Sequence, residues 1–415
     1  MALKSSYVLP VTVDNVSTHV SRKNLQNRQS SVLEWLESVD VFPKWYFKTG
    51  IGNEYGACGA LLSFPHLPEL SCTSDIPNPP RIIGGQDFFQ APRKGDLWEK
   101  FPTSLYSLPM FETYTDGSVI SNSLTPTHPK ISYERSRITP PPLCLNRYDI
   151  PSKETWCESL TQCIRDMKRD EYDKIVLARA ARFQFSSPIS PTAIIEHLTK
   201  KSVNSVVFMI ALSENLAFVG ATPEFLFQKK DSQVQTHAIA GTRQRGSTVE
   251  QDLELEKELL ASCKEQSEFS YVHQDIQHVL SQLCGNLEFS PSSDVIKTAA
   301  VQHLIRSFQG TLHADVSPQM LLNALHPTPA VGGAPRDSVL KKIYALESFD
   351  RGWYAAPFGY VTNGESKVVV AIRSALVSQT NLVAFAGTGI VDSSDPHLEW
   401  EELNNKISQF TQWIG

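Results

Sequence analysis

Apolar positions along the chain recur with two periods, and the period changes where the secondary structure should change. A spacing of three and four residues predicts helices over Lys153–Arg169, Leu255–Leu283, Gln319–Leu325 and from Pro396 to about Trp413. Runs rich in β-branched residues predict strands at Lys174–Phe185, Val203–Leu212, Leu216–Gly220, Phe225–Gln228, Val234–Ile239 and Leu382–Ala386. PFGYVT-NG-ESKVVVAIRSALV reads as a β-hairpin, because Asn363-Gly364 suits a tight primed turn. The first 150 residues differ. Pro and Gly interrupt short apolar runs in FPHLPEL, IPNPPRIIGG and ITPPPL, which predicts short strands and turns with a helix near Ser31–Val39. Pro140, Pro141 and Pro142 mark a seam. Residues 1–150 are read as a turn-rich part of the same fold, and 151–415 as the catalytic region. Strands in runs with helices between them indicate α+β, not a regular βαβ alternation.

The stretch Leu255–Leu283 contains no Gly or Pro and reads as one long helix. One of its stripes runs through Ala261, Glu265, Glu268, Val272, Ile276, Val279 and Leu283. Two carboxylates therefore share a face in a stripe that should meet the core. Either they lie at its wet margin, or they are buried and need a partner, a proton or a metal. The C-terminal helix, opened by Ser394-Asp395-Pro396, repeats the pattern with Glu399, Glu402, Leu403, Lys406, Phe410 and Trp413 on one face. If the two doublets converge, four carboxylates repel one another unless a cation sits between them. All-oxygen ligands with no Cys or His beside them suit Mg²⁺.

Composition narrows the possible functions. The chain has 415 residues, 41% hydrophobic and 20% charged, as an ordinary globular protein has. A net charge of −6 without a basic block argues against nucleic acid as a partner. No apolar run reaches the roughly 18 residues of a membrane helix. Seven Cys without a CxxC pair fit reduced thiols in the cytoplasm. The N-terminus lacks a continuous apolar segment, which argues against secretion, while its Ser content and basic residues after position 20 leave an organellar leader open.

GxxxxGK, GxGxxG, HExxH and GxSxG are all absent. What remains are polar residues in apolar surroundings. Lys174 opens KIVLARAARF; it is either solvated at a strand start or buried, where desolvation would make it a usable base. Glu224, in GATPEFLF, is either a turn carboxylate in water or a general acid of raised pKa. Gly241 and Thr242 end a strand in a small-residue corner that could present donors to an anion, or simply turn. Arg373 interrupts a run otherwise fit for a buried strand and needs an anionic partner. Phe385–Gly389 is another corner where backbone can approach a ligand closely.

In order along the chain, KIVLAR, FVGATPEFLF, AIAGTR, ELLASCKEQSE, LHPTPAVGGAP, DRGWYAAPFGY, AIRSALV and AFAGTGIV…EWEELNNK resemble the motifs of the chorismate-utilising enzymes. That family contains isochorismate, salicylate, anthranilate and aminodeoxychorismate synthases. The likeness covers about residues 150–415, and PRIIGGQDFF (Pro80–Phe89) extends it into the N-terminal half. It implies antiparallel sheets packed together and flanked by helices, an isomerase or lyase activity on chorismate, and a Mg²⁺-dependent site. By the same resemblance Glu268 and Glu402 are metal-coordinating, with Glu265 and Glu399 in support. Gly241, Thr242, Tyr354, Arg373, Gly387 and Lys406 match positions that hold substrate carboxylates, and His303 lines the site. Lys174 matches the base that activates water and Glu224 the acid on the opposite ring face.

Three positions bear on the branch of the family. Lys174 stands where ammonia-delivering relatives usually carry Gln, and Ala240 where others place a nucleophilic Lys. Leu325–Gly333 resembles the isochorismate-forming version. The expectation is therefore chorismate converted to isochorismate, feeding menaquinone, by a cytoplasmic monomer with no glutaminase subunit. Salicylate formation by further loss of pyruvate is the near alternative, a non-catalytic cation-binding protein the distant one. Phe269 departs from the His or Asn that relatives often place after the metal-binding Glu.

Overall fold

Why two layers form is visible in the burial of alternate residues. In the strand Lys174–Phe185, Ile175, Leu177, Ala181 and Phe183 point into one apolar cluster, while Ala178 and Ala180 point into another. A strand can serve two cores in this way because its side chains alternate sides with period two. The computed structural model describes residues 6–414 apart from 26–27, 29, 51, 73–77, 128–129, 132, 134–139, 203 and 299–300. Val203, the predicted start of one strand, lies outside the described residues; that strand runs Val206–Ser213.

Every paired strand is antiparallel. The first layer runs, neighbour to neighbour, through Glu54–Phe64, Lys44–Thr49, Val206–Ser213, Leu216–Thr222, Ser374–Ser378, Asn381–Ile390, Lys174–Phe185 and Cys144–Ile150. The second runs through Val301–Leu312, Gln233–Gln244, Phe225–Lys230, Glu365–Val370, Pro357–Thr362, Ile82–Gln86 and Ser104–Tyr114. Ser104–Tyr114 also pairs with Glu54–Phe64, so the layers are joined at one edge. Strands from the first 150 residues thus sit in both layers. The fold is α+β.

Among the described residues eight helices cover the sheets: α1 (Val32–Ser38), α2 (Lys153–Met167), α3 (Pro191–Lys201), α4 (Val249–Ala261), α5 (Cys263–Leu283), α6 (Pro318–Leu325), α7 (Arg336–Leu346) and α8 (Pro396–Ile414). Residues of α1, α2, α3, α7 and α8 share one cluster with the outer face of the first layer. Those of α5 and α6 pack into the larger central cluster. Among the described residues no helix is long and apolar enough to cross a membrane.

Three sequence readings need correction. The stretch expected to be one long helix is two. Ser262 leaves helical geometry at ψ 115, ends α4 and caps α5, its hydroxyl accepting from Glu265 N–H. Ser with Glu three residues on is an N-cap signature that outweighed the absence of Gly and Pro. The buried row on α5 is consequently Glu265, Phe269, Val272, Ile276 and Leu280, with Ala261 exposed and Glu268 at the margin. Second, VVVAIRSALV is not one strand: Glu365–Val370 stops, and Arg373 adopts a left-handed φ of 51° before Ser374–Ser378 begins. Third, α3 and α7 escaped prediction, although Ser190-Pro191 is an N-cap and first-turn Pro.

Candidate active site

One cavity, with an empty volume of about 670 Å³, opens between the two layers near the ends of α5 and α8. The first layer contributes Val176, Gly387 and Gly389, the second Gly241, Thr242 and His303, and connecting segments Glu224, Tyr354 and Arg373. Glu268 of α5 and Lys406 of α8 complete it. Nine of the thirteen predicted site residues line this space: Glu224, Gly241, Thr242, Glu268, His303, Tyr354, Arg373, Gly387 and Lys406. Lys174, Glu265, Glu399 and Glu402 stand one contact behind it.

Lys174 is fully buried at a strand start that pairs with Ala334 on one side, while the next residue, Ile175, pairs with Ile390 on the other; it shares a face with cavity-lining Val176. Its Nζ lies 3.1 Å from Glu268 Oε1 yet has no well-aligned hydrogen bond. An enclosed ammonium with unspent N–H groups is costly, and such exceptions mark sites that await a ligand. Gly389, across the strand pair from Val176, leaves the room: a Cβ there would collide with the Glu268 carboxylate and come within 2.9 Å of Lys174 Cε.

Glu224 follows the turn between Leu216–Thr222 and Phe225–Lys230, so both strands hold its backbone. Its N–H donates to Thr222 Oγ1 at 3.1 Å and its carbonyl accepts from Val370 N–H at 3.0 Å. The carboxyl is buried. Burial raises its pKa to about 7, with Lys174, Thr328 and Lys406 pulling the other way.

Gly241 has φ +70° and forms a bulge that skips one residue of the pairing with Val301–Leu312. The bulge turns the Gly241 carbonyl and the Thr242 hydroxyl toward His303 Nδ1, at 3.0 and 3.2 Å. Burial, with Arg373 and Lys406 nearby, pushes His303 down to about 3, so the ring is neutral at working pH. Arg373 Nη2 lies 3.4 Å from His303 Nε2. Burial lowers that guanidinium to about 10, which leaves it charged. Tyr354 is held protonated by burial, and Lys406 Nζ donates to the Gly387 carbonyl at 2.9 Å. A cationic floor and neutral donors suit a ligand carrying carboxylates.

The two glutamate doublets meet behind this floor. Glu265 Oε2 accepts from Thr242 N–H at 3.0 Å and Oε1 from Arg243 at 3.0 Å. Glu399 accepts from Thr388 Oγ1 at 2.6 Å and Lys264 Nζ at 2.5 Å. Glu402 takes Thr388 at 3.1 Å and Lys406 at 2.6 Å. Burial and the charges of Glu268 and Glu402 raise the pKa of Glu265; burial and Glu402 raise that of Glu399. Burial acts the same way on Glu402, but Lys406 and Lys264 outweigh it and hold this carboxyl at about 2. The wet-margin reading does not fit Glu265, 2% exposed, but does fit Glu268, whose side chain is 13% exposed; Glu399, at 1%, is as deeply buried as Glu265.

Sequence reasoning missed a strut beneath the cavity. Glu347 accepts from Ala178 N–H at 2.9 Å and from Arg351 Nε and Nη2 at 2.9 and 2.7 Å. Arg351 in turn donates to the carbonyls of Val176 and Val331 at 2.8 and 2.7 Å, both cavity-lining residues. The Arg351 carbonyl accepts from Tyr354 N–H. One ion pair therefore sets the Lys174 strand, the Val331 loop and Tyr354 relative to one another. Its i, i+4 spacing was legible, but its burial was not.

A model of the chorismate binding enzyme family matches residues 71–415, and the chain belongs to that family. It is 38% identical over 273 residues to isochorismate synthase 2, chloroplastic, of Arabidopsis thaliana, covering 65% of this chain and 49% of that protein. The chain thus spans about half the plant relative's length. Against isochorismate synthase MenF of Haemophilus influenzae the identity is 29% over 400 residues, 91% of this chain and 87% of the relative. The solved structure of the menaquinone-specific isochorismate synthase MenF from Escherichia coli superposes with a TM-score of 0.81 at 25% identity, covering 100% of this chain and 97% of that one.

Proposed function

We propose that this protein is an isochorismate synthase, an isomerase that adds water at C2 of chorismate with loss of the C4 hydroxyl. The observation that carries the reading is a pair of buried proton carriers, Glu224 in the wall of one cavity and Lys174 directly behind it, where the remaining polar groups favour carboxylates. The names of the relatives support it. Arg373, Lys406, Tyr354, Gly241, Thr242, His303 and Gly387 bind and orient the substrate. Lys174, once its ammonium has released a proton to solvent, acts as the neutral amine and takes a proton from the attacking water. Glu224, protonated up to about pH 7, gives one to the departing hydroxyl, which then leaves as water. Exchange with solvent then restores both groups, Lys174 releasing the proton it took and Glu224 regaining the one it gave.

Mg²⁺ belongs to the same proposal. The donor set fits it: four carboxylates and no thiol or imidazole among them, two with pKa values raised by burial and then by their carboxylate neighbours. Among the described residues, no three such groups already stand in ligating positions, because Lys174, Lys264 and Lys406 engage their oxygens. Glu268 and Glu402 would hold the ion, with Glu265 and Glu399 behind them. When bound, it neutralises a ring carboxylate and orients the ring, as Lewis acid and template. Cytoplasmic residence, a monomer without a glutaminase subunit, and supply of menaquinone synthesis complete the reading.

The test is product analysis after mixing the purified chain with chorismate and Mg²⁺. Isochorismate is the expected product. Salicylate plus pyruvate would move the protein to the salicylate branch, and no product with or without ammonia would leave the non-catalytic alternative.

A further inference from the structure

The glutamate doublets are bridged by a lysine that neither substrate binding nor proton transfer uses. Lys264 Nζ lies 2.5 Å from Glu399 Oε1 on α8 and 3.9 Å from Glu265 Oε1 on α5. It is the second residue of α5, where the helix dipole disfavours a cation. Its position is therefore maintained by the carboxylates and not by its own helix. The other two ammonium groups of the cluster are more firmly held. Lys174 is fully enclosed, and Lys406 is 15% exposed and also bonded to the Gly387 carbonyl. Lys264 is 27% exposed, and its flexible stem can carry the charge to water.

We propose that Lys264 is a built-in counter-cation that joins the two doublets in the metal-free protein and is expelled when a divalent ion enters between them. The inference rests on the divalent-ion reading given above. Its physical basis is charge. Four carboxylates face three ammonium groups and the Arg243 guanidinium, so the cluster is close to neutral before any metal arrives. A dication added with Lys264 in place would meet an ammonium at contact distance, and like charges that close repel strongly in a partly buried site. Departure of Lys264 frees Glu399 Oε1 and restores the negative field, while Arg243 and the Thr242 N–H keep Glu265 in place. Metal affinity is then the difference between two cations competing for the same oxygens, which keeps it low until substrate carboxylates add to the ligand set.

Two measurements on the full-length chain test this. Calorimetric titration with Mg²⁺ alone, in the absence of chorismate, compares wild type with Lys264→Met and Lys264→Arg. Lys264→Met should bind Mg²⁺ tighter by on the order of tenfold, and should unfold at a lower temperature in chelator, whereas Lys264→Arg should stay near wild type. Equal or weaker binding by Lys264→Met, or no binding by any of the three, overturns the proposal. Should Lys264→Met fail to fold, wild type still decides: amine-selective labelling read by peptide mass spectrometry should rise several-fold at Lys264 when Mg²⁺ is added, with Lys174 and Lys406 unchanged. Labelling that stays level or falls refutes the exchange. Metal-driven labelling without isochorismate formation would sink the proposed activity and keep this inference; a working synthase with unchanged labelling would do the reverse.

Discussion

Glu112 in the N-terminal half and Glu224 in the cavity wall are both buried carboxylates, 0% and 4% exposed, yet their surroundings differ in kind. Glu112 accepts from Arg22 at 2.9 Å, Asn122 at 2.7 Å, Tyr114 at 2.6 Å and Tyr55 at 3.2 Å. Its oxygens are spent and its charge is matched. Glu224 instead has its backbone fixed on both sides while its carboxyl carries a pKa raised to about 7. Burial with full compensation makes a structural clamp. Burial with compensation withheld makes a proton carrier.

The same contrast separates Arg351 from Lys174. Arg351 spends its donors on Glu347, Val331 and Val176, whereas Lys174 is as deeply buried with a single charge contact and no aligned hydrogen bond. Neither difference depends on depth. It depends on whether the neighbouring strands and loops bring polar atoms to the group or leave it facing a void.

Lys174→Ala should break this comparison most severely. We expect the rate of isochorismate formation to fall by about 10²–10⁴-fold, the range for a general acid or base, with chorismate binding by calorimetry nearly unchanged and the melting temperature not lowered. Normal turnover would remove Lys174 from the proposed chemistry. Glu112→Ala should do the opposite, costing about 3–5 kcal/mol because it breaks a buried ion pair with Arg22 by removing one partner, while the folded fraction keeps wild-type turnover per active site. Chemical denaturation with active-site titration would read both.

The pH response sharpens the distinction. Glu224 must be protonated to act, and its pKa is raised from 4.5 to about 7, so kcat/KM should fall as pH rises through about 7, roughly tenfold per unit above it. The linked stability has the same sign: the folded chain keeps a proton that the unfolded chain releases. That stability is complete below 4.5 and lost as pH rises through about 7. Glu224→Gln should abolish both the turnover and this stability change; a surviving titration would assign it to another group. The smallest effect belongs to Glu347→Gln, which keeps the shape of the strut and removes its charge. A stability loss of about 1–3 kcal/mol should accompany a fall in kcat larger than any rise in KM, because the Lys174 strand and Tyr354 lose their common anchor.

Local chemistry in the sequence determined the helix and strand types of most of residues 151–415. Asn363-Gly364 specified its hairpin and Asp395-Pro396 the start of α8, because turns and caps are set by a few adjacent residues. The equal spacing of Glu265–Glu268 and Glu399–Glu402 even foretold two acidic faces. Whether those faces meet was beyond it, since that depends on α5 and α8 arriving at one cavity from positions more than a hundred residues apart. Two readings failed for different reasons. Ser262 breaks the helix through a local cap that was legible in Ser262 and Glu265, whereas Arg373 takes a backbone conformation that distant neighbours hold in place, through the Ala221 N–H and the Gln409 side chain on its carbonyl. Burial and void space are properties of the packed layers, and they alone decided that Glu112 is a clamp, that Glu224 is a proton carrier, and that Lys264 bridges two helices.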